Sequence, residues 1–153
     1  MKPRLIKIYP PLYMFMAAGL IWLLHLYFPL YTVLPAPWHQ IGIGFIGLAL
    51  LLDLGSLGLF LWQKTTPHPF KEQKAHHLVT GGFYRISRNP MYLGLLLMLI
   101  GWACYLGSLS GFFILPLFIW VITTQQIVYE EQALTEKFEE DYKDYQAQVR
   151  RWI

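Results

Sequence analysis

The sequence has little charge and almost no cysteine. Only 14% of its 153 residues are Asp, Glu, Lys or Arg, whereas a soluble domain carries about a quarter. So few charged side chains do not cover a globular surface in water, which excludes most soluble folds, a soluble dinucleotide-binding domain among them. The single cysteine, Cys104, offers neither an intramolecular disulfide nor a thiolate cluster for zinc. We therefore expect no metal site.

Long apolar runs take the place of charge. Hydrophobic residues make up 56% of the chain, and four runs approach the about 20 residues that a helix needs to cross a bilayer core. These runs are residues 11–34, 40–63, 91–108 and 111–129. The sequence thus predicts one all-α integral membrane domain, residues 1–153, with four transmembrane helices. The first run is too long and too aromatic for a cleaved signal peptide.

The basic residues indicate how these helices are oriented. Every Lys and Arg falls before the first run, between the second and third, or after the fourth, and neither short hairpin loop contains one. Positive residues in short loops stay on the cytoplasmic side. Both termini and the loop 64–90 are therefore predicted to be cytoplasmic, in a bacterial or archaeal cytoplasmic membrane. We interpret the net charge of +3 as this topology signal and expect no nucleic-acid partner.

Residues 130–153 change to a charged pattern. Apolar side chains recur there at spacings of three and four: Leu134, Phe138, Tyr142, Tyr145, Val149 and Trp152. This spacing predicts an amphipathic cytoplasmic helix. Its acidic outer face suits an anionic bilayer poorly, so we expect the helix to fold over the loop 64–90, with a position on the membrane surface as the alternative.

Two ionisable side chains lie inside the apolar runs. Asp53 is near the middle of the second run and His25 is in the first. A buried ionisable group in a membrane indicates function by default. A pair between these two, a structural polar contact or protonation of Asp53 would each satisfy the cost of burying it. A stripe of small residues predicts the face on which the second helix packs. Its members are Gly44, Gly47, Gly55 and Gly58.

Residues 76–94 are the most informative segment. Thr80-Gly81-Gly82 is typical of a turn, and Asn89 and Pro90 are typical of an N-cap and first helical residue. These preferences do not account for two histidines, two arginines and two tyrosines around one helix start. Exposed N–H groups at such a start would hold a carboxylate or a phosphate.

The order of motifs resembles a known family. Residues 78–94 read L-V-T-G-G-F-Y-R-I-S-R-N-P-M-Y-L-G, and an apolar hairpin, the pair Glu130-Glu131 and the series Phe138, Tyr142, Tyr145 follow. This is similar to the isoprenylcysteine carboxyl methyltransferase and phospholipid methyltransferase group of integral membrane enzymes, over about residues 76–152. The resemblance implies methyl transfer from S-adenosylmethionine to an acceptor at the bilayer.

The resemblance also implies site residues. The matching positions for cofactor contacts are His76, His77, Leu78, Val79, Tyr84, Asn89, Pro90, Met91, Tyr92, Glu130 and Glu131. A carboxylate can bind the ribose diol or the amino group, and aromatic rings can face adenine or the sulfonium. Arg88 and Glu130 are the expected catalytic residues. The plainer alternatives are a solvated glutamate pair after the fourth helix and tyrosines of an interfacial belt.

Two arginines and a glutamine bear on the acceptor. Arg85 and Arg88 are three residues apart, so on a helical turn they would share a face; one would orient an anionic group, or both would reach lipid phosphate. Arg85 and Gln126 are the predicted substrate residues. Gln126 stands where carboxyl-methylating eukaryotic members of the group have an arginine, and a neutral amide does not pair with a carboxylate as arginine does.

Asn89 is a second departure from the group, many of whose members have histidine there, and it removes a titrating imidazole. Asn89 therefore excludes a histidine general base at this position. Because Gln126 stands in place of the arginine, we expect a lipid-like or small amphiphilic acceptor rather than a prenylcysteine. Isoprenylcysteine carboxyl methylation and a non-enzymatic helical scaffold are the alternatives.

Overall fold

The computed structural model describes residues 8–62 and 78–153. All regular secondary structure in these ranges is helical, which confirms the predicted all-α class. The longer helices are α1 (Pro10–Tyr27), α2 (Ile41–Trp62) and α3 (Pro90–Leu106). The last part of the chain forms α4 (Leu109–Phe112), α5 (Ile114–Ile122), a π-helical turn (Thr123–Ile127) and α6 (Val128–Gln148).

Three helical stretches are long and apolar enough to cross a membrane. They are Pro10–Tyr27, Trp38–Leu59 and the stretch Leu109–Gln148, while α3 is apolar but shorter. Each of the four predicted runs therefore contains an apolar helix.

The first helix is shorter than predicted. It ends at Tyr27 rather than at residue 34. Pro29 follows Phe28, and a residue before proline is driven out of the helical region; Phe28 accordingly has φ −141° and ψ 61°.

The chain has no helix break between residues 129 and 130, where the fourth apolar run was predicted to end. The helix runs from α5 through the π-helical turn into the first part of α6, because no glycine or proline occurs between positions 117 and 148. Further along α6, the backbone leaves the helical region at Glu139, which has φ 44° and ψ −113°. The interruption comes earlier, at Phe113 between α4 and α5. Pro116 lacks an N–H, and its ring disfavours a continuous helix at the preceding turn.

Helix α3 is the centre of the assembly. Helices α1, α2 and α5 all pack against it, and a buried apolar cluster joins Met14, Ala17 and Ile21 of α1 to Leu96 and Leu99 of α3. The contact between α2 and α3 is close enough that a methyl group at Gly101 would lie 2.6 Å from the Gly42 carbonyl oxygen. Glycine at both positions allows this approach.

The prediction that the glycine stripe forms the packing face of α2 is wrong. A methyl group at Gly44, Gly47 or Gly58 would meet no atom within 4 Å in the described structure. Gly55 is the exception, because it lies against the ring of Phe83. The face turned to α3 instead carries residues one or two turns apart along the helix: Gly42, Ile46 and Asp53.

The two hairpin loops meet at one end of the helices. The Val33 N–H donates to the Gly107 carbonyl at 2.8 Å, and the Leu109 N–H donates to the Tyr31 carbonyl at 2.8 Å. At the opposite end, the Gln126 amide donates to the Ile8 carbonyl. The motif segment and the start of α6 lie at this second end. The cytoplasmic assignment of that end stays a prediction.

Candidate functional site

A short turn leads the chain into α3. Gly82–Arg85 forms a 3-10 helix in which Gly82 has φ 58°, a conformation that glycine adopts without strain. The Tyr84 N–H donates to the Gly81 carbonyl at 3.1 Å. Pro90, fully buried, is then the first residue of α3, as its fixed φ favours.

The start of α3 contacts the start of α6 through one short hydrogen bond. The Tyr92 hydroxyl donates to Glu130 Oε1 at 2.6 Å. Tyr92 is 7% exposed, so this bond lies in a largely dry environment where charge-assisted hydrogen bonds are strong. Two of the predicted cofactor residues, 38 positions apart in the chain, are thereby brought together.

Glu131 is held by two arginines. Its carboxylate lies 3.3 Å from Arg88 and accepts hydrogen bonds from Arg151 at 2.6 Å and 3.1 Å. The Glu131 side chain is 8% exposed and that of Arg88 is 11% exposed. Sequence reasoning did not find Arg151, because its contact with Glu131 joins residues 20 positions apart.

The C-terminal segment is bound to the motif through its backbone. The Arg151 carbonyl accepts from Asn89 Nδ2 at 3.0 Å and from the Ser87 hydroxyl at 3.3 Å, and the Arg150 carbonyl accepts from the Arg88 N–H at 3.0 Å. Asn89 occupies the N-cap position of α3, but its side chain caps nothing. The predicted N-cap position and first helical residue are confirmed, but the Asn89 side chain is turned to the C-terminal segment by its Nδ2 donation, and it forms no cap hydrogen bond.

Three tyrosines form a buried cluster beside this segment. Tyr84, Tyr142 and Tyr145 pack with Val79, and the half-buried Leu78 lies against them. The Tyr145 hydroxyl donates to the Tyr84 carbonyl at 2.6 Å. Burial raises the pKa of Tyr145 to about 12, and burial also raises the pKa of Tyr142 and of Tyr84. All three phenols are neutral at physiological pH.

The two motif arginines point to different places. Arg88 is nearly buried, whereas Arg85 is exposed and lines a cavity of about 510 Å³ with Tyr145, Gln148 and Val149. The expectation that Arg85 and Arg88 share a face is wrong, since the 3-10 helix ends at Arg85.

Several predicted residues lie apart from these contacts. Met91 is half-buried in the first turn of α3. His76 and His77 lie outside the described residues. Gln126 is fully buried, its Nε2 donates to the Ile8 carbonyl at 2.6 Å, and its Oε1 has no hydrogen-bond partner among the described residues. The roles assigned to these residues stay predictions.

Asp53 and His25 do not form a pair. Within residues 8–62 and 78–153, neither Asp53 Oδ1 nor His25 Nδ1 has a hydrogen-bond partner. Asp53 faces Gly94 of α3, and a methyl group at Gly94 would overlap its carboxylate. The pair is excluded because α3 lies against the Asp53 face of α2. In the same described ranges, no group of three His, Cys, Asp or Glu is placed to hold a metal ion.

The fold and site define an integral membrane protein of apolar helices with a polar, partly buried site at one end. The profile of the phospholipid methyltransferase family matches residues 38–141. That match covers more than half of the chain, so the chain belongs to the phospholipid methyltransferase family. The recognition made from the motif at residues 78–94 is confirmed.

Individual relatives are similar to parts of the chain. An uncharacterized protein of Haemophilus influenzae is 43% identical over 63 residues, which are 41% of this chain and all of that protein. Protein-S-isoprenylcysteine O-methyltransferase of Schizosaccharomyces pombe is 33% identical over 52% of this chain and 34% of its own length. The enzyme of that name from Saccharomyces cerevisiae is 31% identical over 65% of this chain and 44% of its own length.

The chain thus spans less than half of the length of these two methyltransferases. No solved structure gives a significant match.

Proposed function

We propose that this protein transfers a methyl group from S-adenosylmethionine to a lipid-like or small amphiphilic acceptor at the cytoplasmic face of the membrane. The observation that carries the proposal is the 2.6 Å hydrogen bond between Tyr92 and Glu130. It joins the family motif to the glutamate pair that follows the fourth apolar run. Membership of the phospholipid methyltransferase family supports the reaction class.

The residues at this end fit a zwitterionic cofactor. The α3 N-terminus carries no side-chain cap, so its N–H groups suit a carboxylate. Arg88 Nε is buried and has no hydrogen-bond partner within the described ranges, and an anionic group would satisfy it. Glu130 provides a carboxylate for an amino group or a ribose hydroxyl.

When bound, S-adenosylmethionine supplies a methyl group on a sulfonium, which a nucleophile displaces in line. The protein's own part is to align the acceptor with the methyl group and to exclude water from the site. Tyr92 holds the Glu130 carboxylate in one position, and Glu131 holds Arg88 and the C-terminal segment against the motif. The neutral tyrosine cluster gives this end an apolar wall.

The surroundings of Gln126 favour an acceptor without a carboxylate. One N–H of its Nε2 donates to the Ile8 carbonyl, and its acceptor Oε1 is buried without a partner among the described residues. A carboxylate requires hydrogen-bond donors. The unpaired acceptor oxygen of Gln126 therefore supports a lipid-like acceptor without a carboxylate, which would reach the site from the bilayer between helices.

The second candidate function is carboxyl methylation of an isoprenylcysteine. It is favoured by the relatives whose names specify that reaction. The acceptor that receives the methyl group distinguishes the two.

The experiment uses the purified full chain in phosphatidylcholine vesicles with methyl-radiolabelled S-adenosylmethionine. Total membrane lipids or N-acetyl-S-farnesylcysteine are offered as acceptors, and the products are separated by chromatography. We expect a labelled lipid. Label only in the farnesylcysteine analogue would establish the second candidate, whereas no label and no binding of S-adenosylmethionine by calorimetry would leave a non-enzymatic scaffold.

A further inference from the structure

Asp53 lies close to the motif end of the membrane helices. From its place in the apolar run, Asp53 was expected near the middle of the membrane. In the structure it faces Gly94, which is four residues after Pro90, the first residue of α3. One helical turn rises about 5.4 Å, so the carboxylate is about one turn below the start of α3. Above it, Gly55 lies against Phe83 of the turn that precedes α3.

The Asp53 carboxylate has no structural partner in the described ranges. Its Oδ1 is buried without a hydrogen bond, and the side chain as a whole is only half-buried, beside lipid-facing Leu50 and Leu54. One turn further along, Ser56 is fully buried and its hydroxyl also lacks a partner among these residues. Two unsatisfied polar groups in an apolar layer are costly, so a ligand is the physical reason to keep them.

The space for this carboxylate is built into α3. A methyl group at Gly94 would overlap Asp53, so the last glycine of the motif leaves room for the side chain on α2. Asp53 therefore belongs structurally to the motif, although it lies 25 residues before Leu78 in the sequence.

The charges of Asp53 and Glu130 both act on the Tyr84 phenol. Burial is the main cause that raises the pKa of Tyr84, and the negative charges of Glu130 and Asp53 add to it. Asp53 also lies against Gly94, two residues after the Tyr92 that binds Glu130. The site consequently has a second carboxylate, on α2.

We infer that Asp53 binds the head group of the methyl acceptor by accepting a hydrogen bond from an O–H or N–H group. The inference deepens the proposed function and rests on it. A hydroxyl or ammonium head group would form a charge-assisted hydrogen bond with Asp53, whereas a carboxylate head group would be repelled. Asp53 is then the residue that determines which lipid-like acceptor binds.

The test compares the native chain with Asp53→Asn, which keeps the shape and removes the charge. Cofactor-free protein in phosphatidylcholine vesicles is titrated by calorimetry with dodecylamine, dodecanol or N-acetyl-S-farnesylcysteine, against protein-free vesicles. We expect the native chain to bind the amine or the alcohol and the variant to bind it about tenfold or more weakly. In turnover, KM for that acceptor should rise more than kcat falls, with the affinity for S-adenosylmethionine unchanged.

Gly94→Ala provides a second variant that displaces Asp53 without removing it, and Gly44→Ala is the matched control, because a methyl group there meets no atom within 4 Å. We expect the first to weaken acceptor binding and the second to leave it unchanged. Equal acceptor affinity in native chain and Asp53→Asn would overturn the inference, as would native binding of the farnesylcysteine analogue alone. Failure of the proposed function would be distinguished by a separate result, namely that the native chain binds no S-adenosylmethionine.

Discussion

At the scale of single residues, the two adjacent glutamates at the start of α6 have different environments. Glu130 accepts the Tyr92 hydroxyl, while Glu131 is enclosed by Arg88 and Arg151. Neighbouring residues on a helix point about 100° apart, so one carboxylate faces α3 and the other faces the C-terminal segment. This division suggests that Glu130 meets the ligand and Glu131 holds the site together.

The cofactor contact is tested by Glu130→Gln and Tyr92→Phe. Each removes one partner of a charge-assisted hydrogen bond and little volume, so the fold should persist. We expect the affinity for S-adenosylmethionine to fall about ten- to a hundredfold, corresponding to about 1.5–3 kcal/mol, by calorimetry on detergent-purified protein. Tyr27→Phe is the matched control, because Tyr27 is 71% exposed on the far end of α1. Unchanged affinity in both site variants would leave these residues with a structural role only.

The role of Glu131 is tested by Glu131→Gln. The substitution leaves two guanidinium groups next to a neutral amide, and loss of one partner of a buried ion pair costs about 3 kcal/mol or more. We expect a lower midpoint of denaturant unfolding in detergent. Glu136→Gln, on an exposed part of the same helix, should leave the midpoint unchanged. A midpoint equal to that of the native chain in Glu131→Gln would show that the two arginines do not depend on this carboxylate.

At the scale of helices, the α2–α3 contact positions the site. Gly42 and Gly101 let the two backbones approach, and Asp53 and Gly94 fit together further along the same contact. The end of α2 passes beside Gly82–Arg85, so the turn before α3 rests on α2. A shift of α2 relative to α3 would therefore move the motif turn and Asp53 together.

Gly101→Ala tests this contact. Its methyl group would lie 2.6 Å from the Gly42 carbonyl and 2.7 Å from Ile46 Cγ1, and overpacking of this kind costs about 1–3 kcal/mol. We expect a lower unfolding midpoint in detergent and weaker acceptor binding. Gly47→Ala, at a position with no atom within 4 Å of the added methyl, should behave as the native chain. Equal midpoints for the two variants would contradict this account of the packing.

At the scale of the whole molecule, the polar groups of the described residues separate into two unequal ends. The end with the hairpin loops uses backbone hydrogen bonds between residues 31–33 and 107–109. The other end carries the charged and aromatic site, and the described arginines and lysines all belong to the motif segment, α6 or the C-terminal residues. This asymmetry is what the positive-inside rule predicts for a chain with both termini in the cytoplasm.

Cysteine accessibility in intact cells tests that orientation. In a Cys104→Ser background, Trp38→Cys should react with an impermeant thiol reagent from outside, because Trp38 is 69% exposed beside the first hairpin loop. Lys71→Cys should react only after the membrane is permeabilised. Labelling of the second variant in intact cells would reverse the proposed orientation and would place the site outside the cytoplasm.

Local physics accounts for what could be predicted from the sequence. Hydropathy over about 20 residues identified the apolar helices, the fixed φ of Pro90 identified the start of α3, and Gly81-Gly82 identified the turn before it. The motif from Leu78 to Gly94 led to the family before any contact was known. Each of these depends on neighbours within one segment.

The tertiary structure decided which residues meet. Periodicity alone did not show that Gly42 and not Gly44 approaches α3, that Asn89 serves the Arg151 carbonyl rather than its own helix, or that Asp53 faces Gly94 rather than His25. These outcomes depend on the rotation of each helix about its axis and on partners as many as 62 residues apart. The sequence by itself determined the helices, the motif and the family; only packing decided the partners of Glu131 and the place of Asp53 beside the site.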